Sequence, residues 1–176
     1  MEIATKISAF EYLLTQMLEW GKEMYPQGLD SSFTRLKALK LLFFASAVKN
    51  KNGGDLLDVF DNFYALPNGP VESDVYNRIT TDTLTYYTFK DFSFARKLDY
   101  DSAGIDDQLK ERLDAAIDAL RSENEKIISY SAVQLVALSH CWLSWQNSIR
   151  MANALGKGSY RMSTIQIRNN AQVYTI

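Results

Sequence analysis

Cysteine and histidine are almost absent from this chain of 176 residues, which has one of each, Cys141 and His140. A single cysteine excludes an intrachain disulfide, and one histidine beside it leaves too few ligands for a structural zinc site. No run of about 20 apolar residues is present, as a membrane-spanning helix would require. The first residues lack the basic start and apolar stretch of a signal peptide. We therefore expect a cytoplasmic protein that carries no cofactor.

Neither sign of charge dominates the sequence. Lys and Arg number 19 against 21 Asp and Glu, which gives a formal net charge of −2. This balance argues against general electrostatic binding of nucleic acid. Hydrophobic residues make up 47% and charged residues 23%, as in an ordinary globular protein. The length fits one domain over residues 1–176.

Apolar spacing predicts a mainly α fold of the α+β type, a compact domain of about six helices with a small antiparallel strand component. We expect helices over about 4–25, 33–49, 70–79, 105–126 and 145–154, another starting at a capping box on Ser131, and a short last helix capped by Ser163. A strand is expected within 58–66, and residues 80–101 favour one or two strands or an ordered loop.

Two lysines, Lys37 and Lys40, lie among the apolar residues of the second helix. One interpretation is a solvated basic edge on a core helix. The other is a pair whose stems pack on the core while the ammonium groups bind acidic groups. Those acidic groups would belong to a partner protein or to this chain, where Glu72 and Asp74 are candidates.

The segment Asn68-Gly69-Pro70-Val71 predicts a turn followed by a helix start, with Gly69 at positive φ and Pro70 at the first helical position. Exposed amides at a helix start could bind an anion. The chain lacks the glycine-rich phosphate loop that ends in Lys-Ser or Lys-Thr, so a structural turn is the favoured interpretation.

His140 is the one imidazole on which catalysis could depend. Its neighbours Ser139 and Cys141 are one residue away, and adjacent residues of a helix do not face each other. No Gly-x-Ser-x-Gly elbow is present. We therefore interpret His140 as a hydrogen-bonded core or interface residue near Trp145, expect Cys141 to be a small buried apolar residue, and assign no catalytic residue.

Aromatic residues are concentrated between Thr80 and Tyr100, where the secondary structure is hardest to predict. Aromatic side chains fill cores, and they also dominate binding hot spots in protein interfaces. We take this stretch as the candidate recognition surface. The candidate partner-binding residues are Lys37, Lys40, Tyr86, Tyr87, Phe89 and Phe92.

Three blocks of sequence, in this order, resemble the Panacea (SocA-like) antitoxin domain. The residues that carry the resemblance are Leu36, Lys40, Leu41, Leu42 and Phe44 in the first block, Gly69, Pro70, Val71 and Tyr76 in the second, and His140 and Trp145 in the third. The blocks place this region at 31–168, with an extra N-terminal helix at 4–25. Phe43 and Asn68 depart from the usual pattern, which has Tyr and His at these positions.

The resemblance implies an antitoxin of a bacterial or phage toxin–antitoxin system that binds a co-encoded protein toxin and is not an enzyme. The shared residues would then form the scaffold, and no direct contact with nucleic acid or membrane is implied. Some relatives deliver a toxin to a protease, so a proteolytic adaptor with a cytoplasmic protease as second partner is the first alternative. A phage-encoded hydrolase that uses His140 is the second.

Overall fold

The computed structural model describes residues 2–26, 33–90 and 93–175. Seven α-helices and two small antiparallel sheets lie in these ranges, which confirms the predicted mainly α fold with a minor strand component. The helices are α1 (Ile3–Met24), α2 (Arg35–Ala47), α3 (Ser73–Thr80), α4 (Asp107–Glu123), α5 (Ala132–His140), α6 (Leu143–Ala154) and α7 (Thr164–Asn169). The strands are β1 (Phe63–Leu66), β2 (Gly69–Glu72), β3 (Tyr87–Lys90), β4 (Ser93–Arg96) and β5 (Tyr160–Arg161). None of these helices is long and apolar enough to cross a membrane.

The strands form a three-stranded sheet in the order β2-β1-β5 and a separate β3–β4 hairpin. All neighbouring strands are antiparallel. The hairpin lies in the stretch for which strands or an ordered loop were expected, so the strand alternative was right.

The prediction that Pro70 begins a helix was wrong. Pro70 lies in β2 opposite Ala65, and α3 begins three residues later at Ser73. Because β2 is an edge strand, the missing amide of proline costs no ladder hydrogen bond on the open side. The helix is capped by Glu72, whose side chain accepts a hydrogen bond from the amide of Val75 at 2.9 Å.

Local capping signals correctly predicted the starts of α5 and α7. Ser131 and Gln134 form the expected reciprocal capping box at α5. Ser163 caps α7, and Asp106 caps α4 by accepting from the amide of Leu109. These side chains satisfy amides that a helix leaves without an internal partner, so the signal is local and readable from sequence.

Helix α2 is buried on every side, and every residue from Lys37 to Ala47 is shielded from solvent. It packs against α4, α5 and β2. The ring of Phe43 contacts those of Phe63 and Trp142 with centroids 5.4 and 4.8 Å away. The interpretation of Lys37 and Lys40 as a solvated edge is therefore wrong, because the other elements enclose the helix from Lys37 onwards.

Helix α1 is held against the rest of the molecule by buried polar side chains as well as by its apolar face. Glu11 accepts a hydrogen bond from the amide of Tyr86 at 2.7 Å, just before β3. The hydroxyl of Tyr12 donates to Asp114 of α4 at 2.6 Å. Thr15 and Tyr87 share a hydrogen bond of 2.6 Å between their hydroxyls. The bonds of Glu11 and Thr15 connect α1 to the start of β3, and the bond of Tyr12 connects it to α4.

Lys6 is the strongest of these connections. Its buried ammonium group lies 2.8 Å from carboxylate oxygens of Asp61 and Glu72 and 2.6 Å from Asp74. The three carboxylates raise the pKa of Lys6 above its usual range despite burial, which acts in the opposite direction. The sequence had suggested Glu72 and Asp74 as partners of the two lysines of α2, but in the structure they are partners of Lys6.

We expect Lys6→Met to lower the free energy of unfolding by about 3–5 kcal/mol, because it leaves the fully buried Glu72 without its cation. Urea unfolding at neutral pH measures this loss. Lys22→Met is the matched control, since Lys22 pairs with Glu19 on the surface and exposed pairs contribute about 1 kcal/mol at most. Equal losses in the two variants would contradict the structural role of Lys6.

Candidate functional site

The three sequence blocks meet at one place, the α2–β2–α5 junction, which we define as Lys40, Gly69, Pro70, Ser139 and His140. The ammonium group of Lys40 donates to the backbone carbonyl of Pro70 at 2.5 Å. Gly69 lies against α5 and the stem of Lys40. Blocks about 30 and 70 residues apart in the chain therefore form one contact region.

Gly69 is required here for two reasons. Its φ is +90°, a backbone conformation that other residues rarely adopt. A Cβ at this position would also lie 2.3 Å from the hydroxyl oxygen of Ser139 and 3.0 Å from Cε of Lys40. The predicted positive φ is confirmed, and the close approach to α5 is what the sequence did not reveal.

The ammonium groups of Lys37 and Lys40 do not reach the surface. Both residues are fully buried. Lys37 Nζ has no hydrogen-bond partner in the described ranges and lies 5.5 Å from the centre of the Phe33 ring. Burial lowers the pKa of Lys37 to about 8 and that of Lys40 to about 7. In this structure neither lysine offers a surface to a partner, so the expectation of solvent-reaching ammonium groups was wrong.

The imidazole of His140 lies flat on the indole of Trp145, with ring centroids 3.8 Å apart and planes 9° apart. Trp145 Nε1 donates to the carbonyl of Leu66 at 3.0 Å, which holds the indole against the β1–β2 turn. Burial lowers the pKa of His140, and the charge of Lys40 lowers it further, while the carbonyl of Pro67 opposes them. His140 is therefore packed as a mostly neutral ring at neutral pH.

Neither polar neighbour of His140 is directed at the imidazole. The hydroxyl of Ser139 donates to the carbonyl of Val136 at 2.8 Å, one turn back in α5. The thiol of Cys141 is directed to the carbonyl of Ala137 at 3.5 Å. Cys141 is also exposed, contrary to the expected burial, because it lies on the outer side of the corner between α5 and α6. The junction thus has the contacts of a packed scaffold.

The other residues that carry the resemblance to the antitoxin family differ in their burial. Leu41, Leu42, Phe44 and Val71 are buried, whereas Leu36 and Tyr76 are half-buried. The guanidinium of Arg35 lies 5.7 Å from the centre of the Tyr76 ring. Their role as a scaffold stays a prediction that fits these positions.

The aromatic residues proposed for partner binding mostly face inward. Tyr87 and Phe89 are buried, and Tyr87 stacks on Phe94 with centroids 5.4 Å apart. Tyr86 is half-buried, and Phe92 lies outside the described residues. The hairpin thus packs its rings against α1, and a role in partner binding stays a prediction for this stretch.

An open cleft between α6, β5 and α7, here called the α6–β5–α7 cleft, was missed by sequence reasoning. Its volume is about 980 Å³, and its lining includes Asp61 and Tyr64, the α6 residue Met151, Lys157, and the continuous stretch 159–166. Met151 and Ile165 remain 46% and 65% exposed. The available signal was Met151, an apolar residue on the outward face of α6, but its spacing in the sequence does not distinguish it from a core residue.

Comparison with known families gives one match. The family model described as the antitoxin SocA-like Panacea domain matches residues 39–146, more than half of the chain. This range contains the whole α2–β2–α5 junction and ends within α6. The lining of the cleft apart from Asp61 and Tyr64 lies beyond it. No curated protein and no solved structure matches the chain.

We expect Gly69→Ala to destabilise the protein by about 3 kcal/mol or more, since backbone strain and overpacking act together. Gly156→Ala is the matched control, because Gly156 also has positive φ, +61°, but no atom lies within 4 Å of the added Cβ. Adding Ser139→Ala to Gly69→Ala should recover part of the loss. Thermal unfolding measures all three variants, and equal losses at Gly69 and Gly156 would show that the close approach is unimportant.

Lys37→Met should raise the free energy of unfolding at pH 7 by about 1 kcal/mol or more, because it removes a buried ammonium group without an acceptor. Since the folded pKa of about 8 lies below the ordinary 10.5, the unfolded chain binds more protons between these values. The stability of the wild-type protein therefore rises with pH in this window, and the advantage of the variant shrinks.

The measurement is urea unfolding at pH 7, 9 and 10.5. Lys51→Met, at an exposed lysine, is the control that should change little. A Lys37→Met protein that is less stable than the wild type at pH 7, or whose gain does not depend on pH, would contradict the argument.

Proposed function

Since the chain belongs to the SocA-like Panacea antitoxin family, we propose that it is an antitoxin that neutralises a co-encoded protein toxin by direct binding. The observation that carries this proposal is the family match over residues 39–146. The toxin is the partner, and the inhibition is stoichiometric, because the complex itself blocks the toxin's activity.

The packing of the family-type residues supports a division between scaffold and binding surface. Lys40 and Trp145 bond to backbone carbonyls of β2 and β1, and Ser139 bonds within α5. These side chains are occupied by internal contacts, so they position the elements and leave recognition to exposed surfaces. The orientation of Ser139 and Cys141 away from His140 also favours binding over a nucleophilic reaction.

The test is expression of the neighbouring small open reading frame alone and together with this chain. We expect the neighbour to arrest growth alone, this chain to restore growth, and the two proteins to co-elute in a fixed ratio. A neighbour that is harmless alone, or rescue without a complex between purified proteins, would contradict the proposal.

Two further arms separate the alternatives. Rescue in cells without the cytoplasmic proteases supports stoichiometric inhibition, whereas rescue that requires a protease supports an adaptor. His140→Ala, once thermal unfolding has shown that it is folded, should still rescue. If that variant binds the toxin but no longer restores growth, a reaction at His140, and not binding alone, neutralises the toxin.

A further inference from the structure

The α6–β5–α7 cleft has an open strand edge beside it. Strand β5 pairs with β1 on one side only, as the last strand of its sheet. The amide of Met162 donates to the carbonyl of Phe63 at 2.8 Å, so the amides of alternate residues point towards β1. Arg161 lies between Tyr160 and Met162, opposite Tyr64, so its N–H and C=O point away from β1. An extended chain can add to such an edge through main-chain hydrogen bonds.

The charge of the cleft is positive, although the chain as a whole carries −2. Its charged lining residues are Asp61, Lys157 and Arg161. Asp61 forms an ion pair with Lys6 at 2.8 Å, but it shares this ammonium group with Glu72 and Asp74. The lining itself therefore carries two positive charges against one negative charge. No acidic side chain of the described ranges forms an ion pair with Lys157 or Arg161. Two cations are thus available to carboxylates of another molecule.

The cleft also carries apolar surface that no part of the described chain covers. Met151 of α6 and Ile165 of α7 both line it and are about half exposed or more. Side chains of an extended segment alternate between two sides, so one segment can place apolar groups on one side and carboxylates on the other. Such a segment can offer apolar groups to Met151 and Ile165 and carboxylates to Lys157 and Arg161.

We propose that the α6–β5–α7 cleft binds an extended segment of the toxin, in which acidic and apolar residues alternate, by strand addition to β5. This inference rests on the proposed antitoxin function and names the surface that carries it. Most of the lining lies beyond the residues that match the family model. This part of the chain is therefore suited to distinguish one toxin from another, while the matched part provides the scaffold.

The first test reverses both cleft charges with Lys157→Glu and Arg161→Glu. The probe is the protein encoded by the neighbouring open reading frame, purified in a complex with the wild-type chain and then separated from it. We expect the double variant to bind at least about tenfold more weakly, with less dependence on salt, because two attractive contacts become repulsive. The matched control is Lys51→Glu with Lys126→Glu, at two exposed lysines that do not line the cleft, and its affinity should change little.

A second pair of variants tests the backbone contact. Arg161→Ala removes the charge alone, whereas Arg161→Pro also removes the outward N–H without breaking a bond to β1. We expect Arg161→Pro to bind more weakly than Arg161→Ala at equal thermal stability. Hydrogen exchange should show that the amides of 159–166 become protected in the complex.

The outcomes separate this inference from the proposed function. A wild-type chain that binds no toxin overturns both. If the double variant binds the toxin as tightly as the wild type, the proposed binding to the cleft is wrong and the antitoxin function stands. The same holds if the wild-type complex protects the amides of the β3–β4 hairpin and leaves those of 159–166 unchanged. If the double variant does not fold, the comparison of Arg161→Ala with Arg161→Pro and the exchange pattern of the wild-type complex decide the question.

Discussion

Burial of α2 on all sides from Lys37 to Ala47 is the constraint on which the rest of this structure depends. A helix segment without a solvent face must be covered on all sides, and α1, α4, α5 and β2 all pack against this one. An element can pack closely against α2 only where its side chains are small and where the polar groups that become buried form hydrogen bonds. At β2 this means a glycine at position 69 and a carbonyl at Pro70 that accepts a hydrogen bond from the ammonium group of Lys40. The sequence blocks that carry the family resemblance are thus distant in the chain but pack together around α2.

Buried charges in this chain serve mainly to fix elements relative to each other. Lys6 connects α1 to the β1–β2 region and α3 through three carboxylates. Glu11 connects the same helix to the start of β3, and burial raises the pKa of this carboxyl. Helix α1 lies outside the part that matches the family model, and these polar contacts join it to that part together with its buried apolar face.

Perturbed pKa values often mark active sites, but their causes matter. For Lys37 and Lys40 burial alone lowers the pKa. For His140 burial is again the largest cause, and the ring is stacked on Trp145 with no nucleophile directed at it. The same perturbations that would suggest catalysis in an open pocket here reflect the dense packing of a junction that surrounds α2.

Features that depend on neighbouring residues in the chain could be read from the sequence. The capping box at Ser131, the cap at Ser163 and the helix predicted over about 105–126 are of this kind. The burial of Lys37 and Lys40 could not be read, because it depends on elements that arrive from distant parts of the chain. For the same reason Pro70 was assigned to a helix, since only the pairing with Ala65 reveals that it belongs to a strand.

The position of the open surface follows from the same packing. Helix α2 occupies the centre and packs against β2, one edge of the three-stranded sheet, so β5 lies on the opposite edge, away from α2. The chain then turns through β5 into α7, which leaves Lys157 and Arg161 beside an uncovered strand edge. Surface residues there can change without disturbing the contacts of the junction, since none of the junction residues lines the cleft. If the cleft binds the toxin as proposed, such a fold can keep one scaffold for different partners, because the junction and the cleft share no residues.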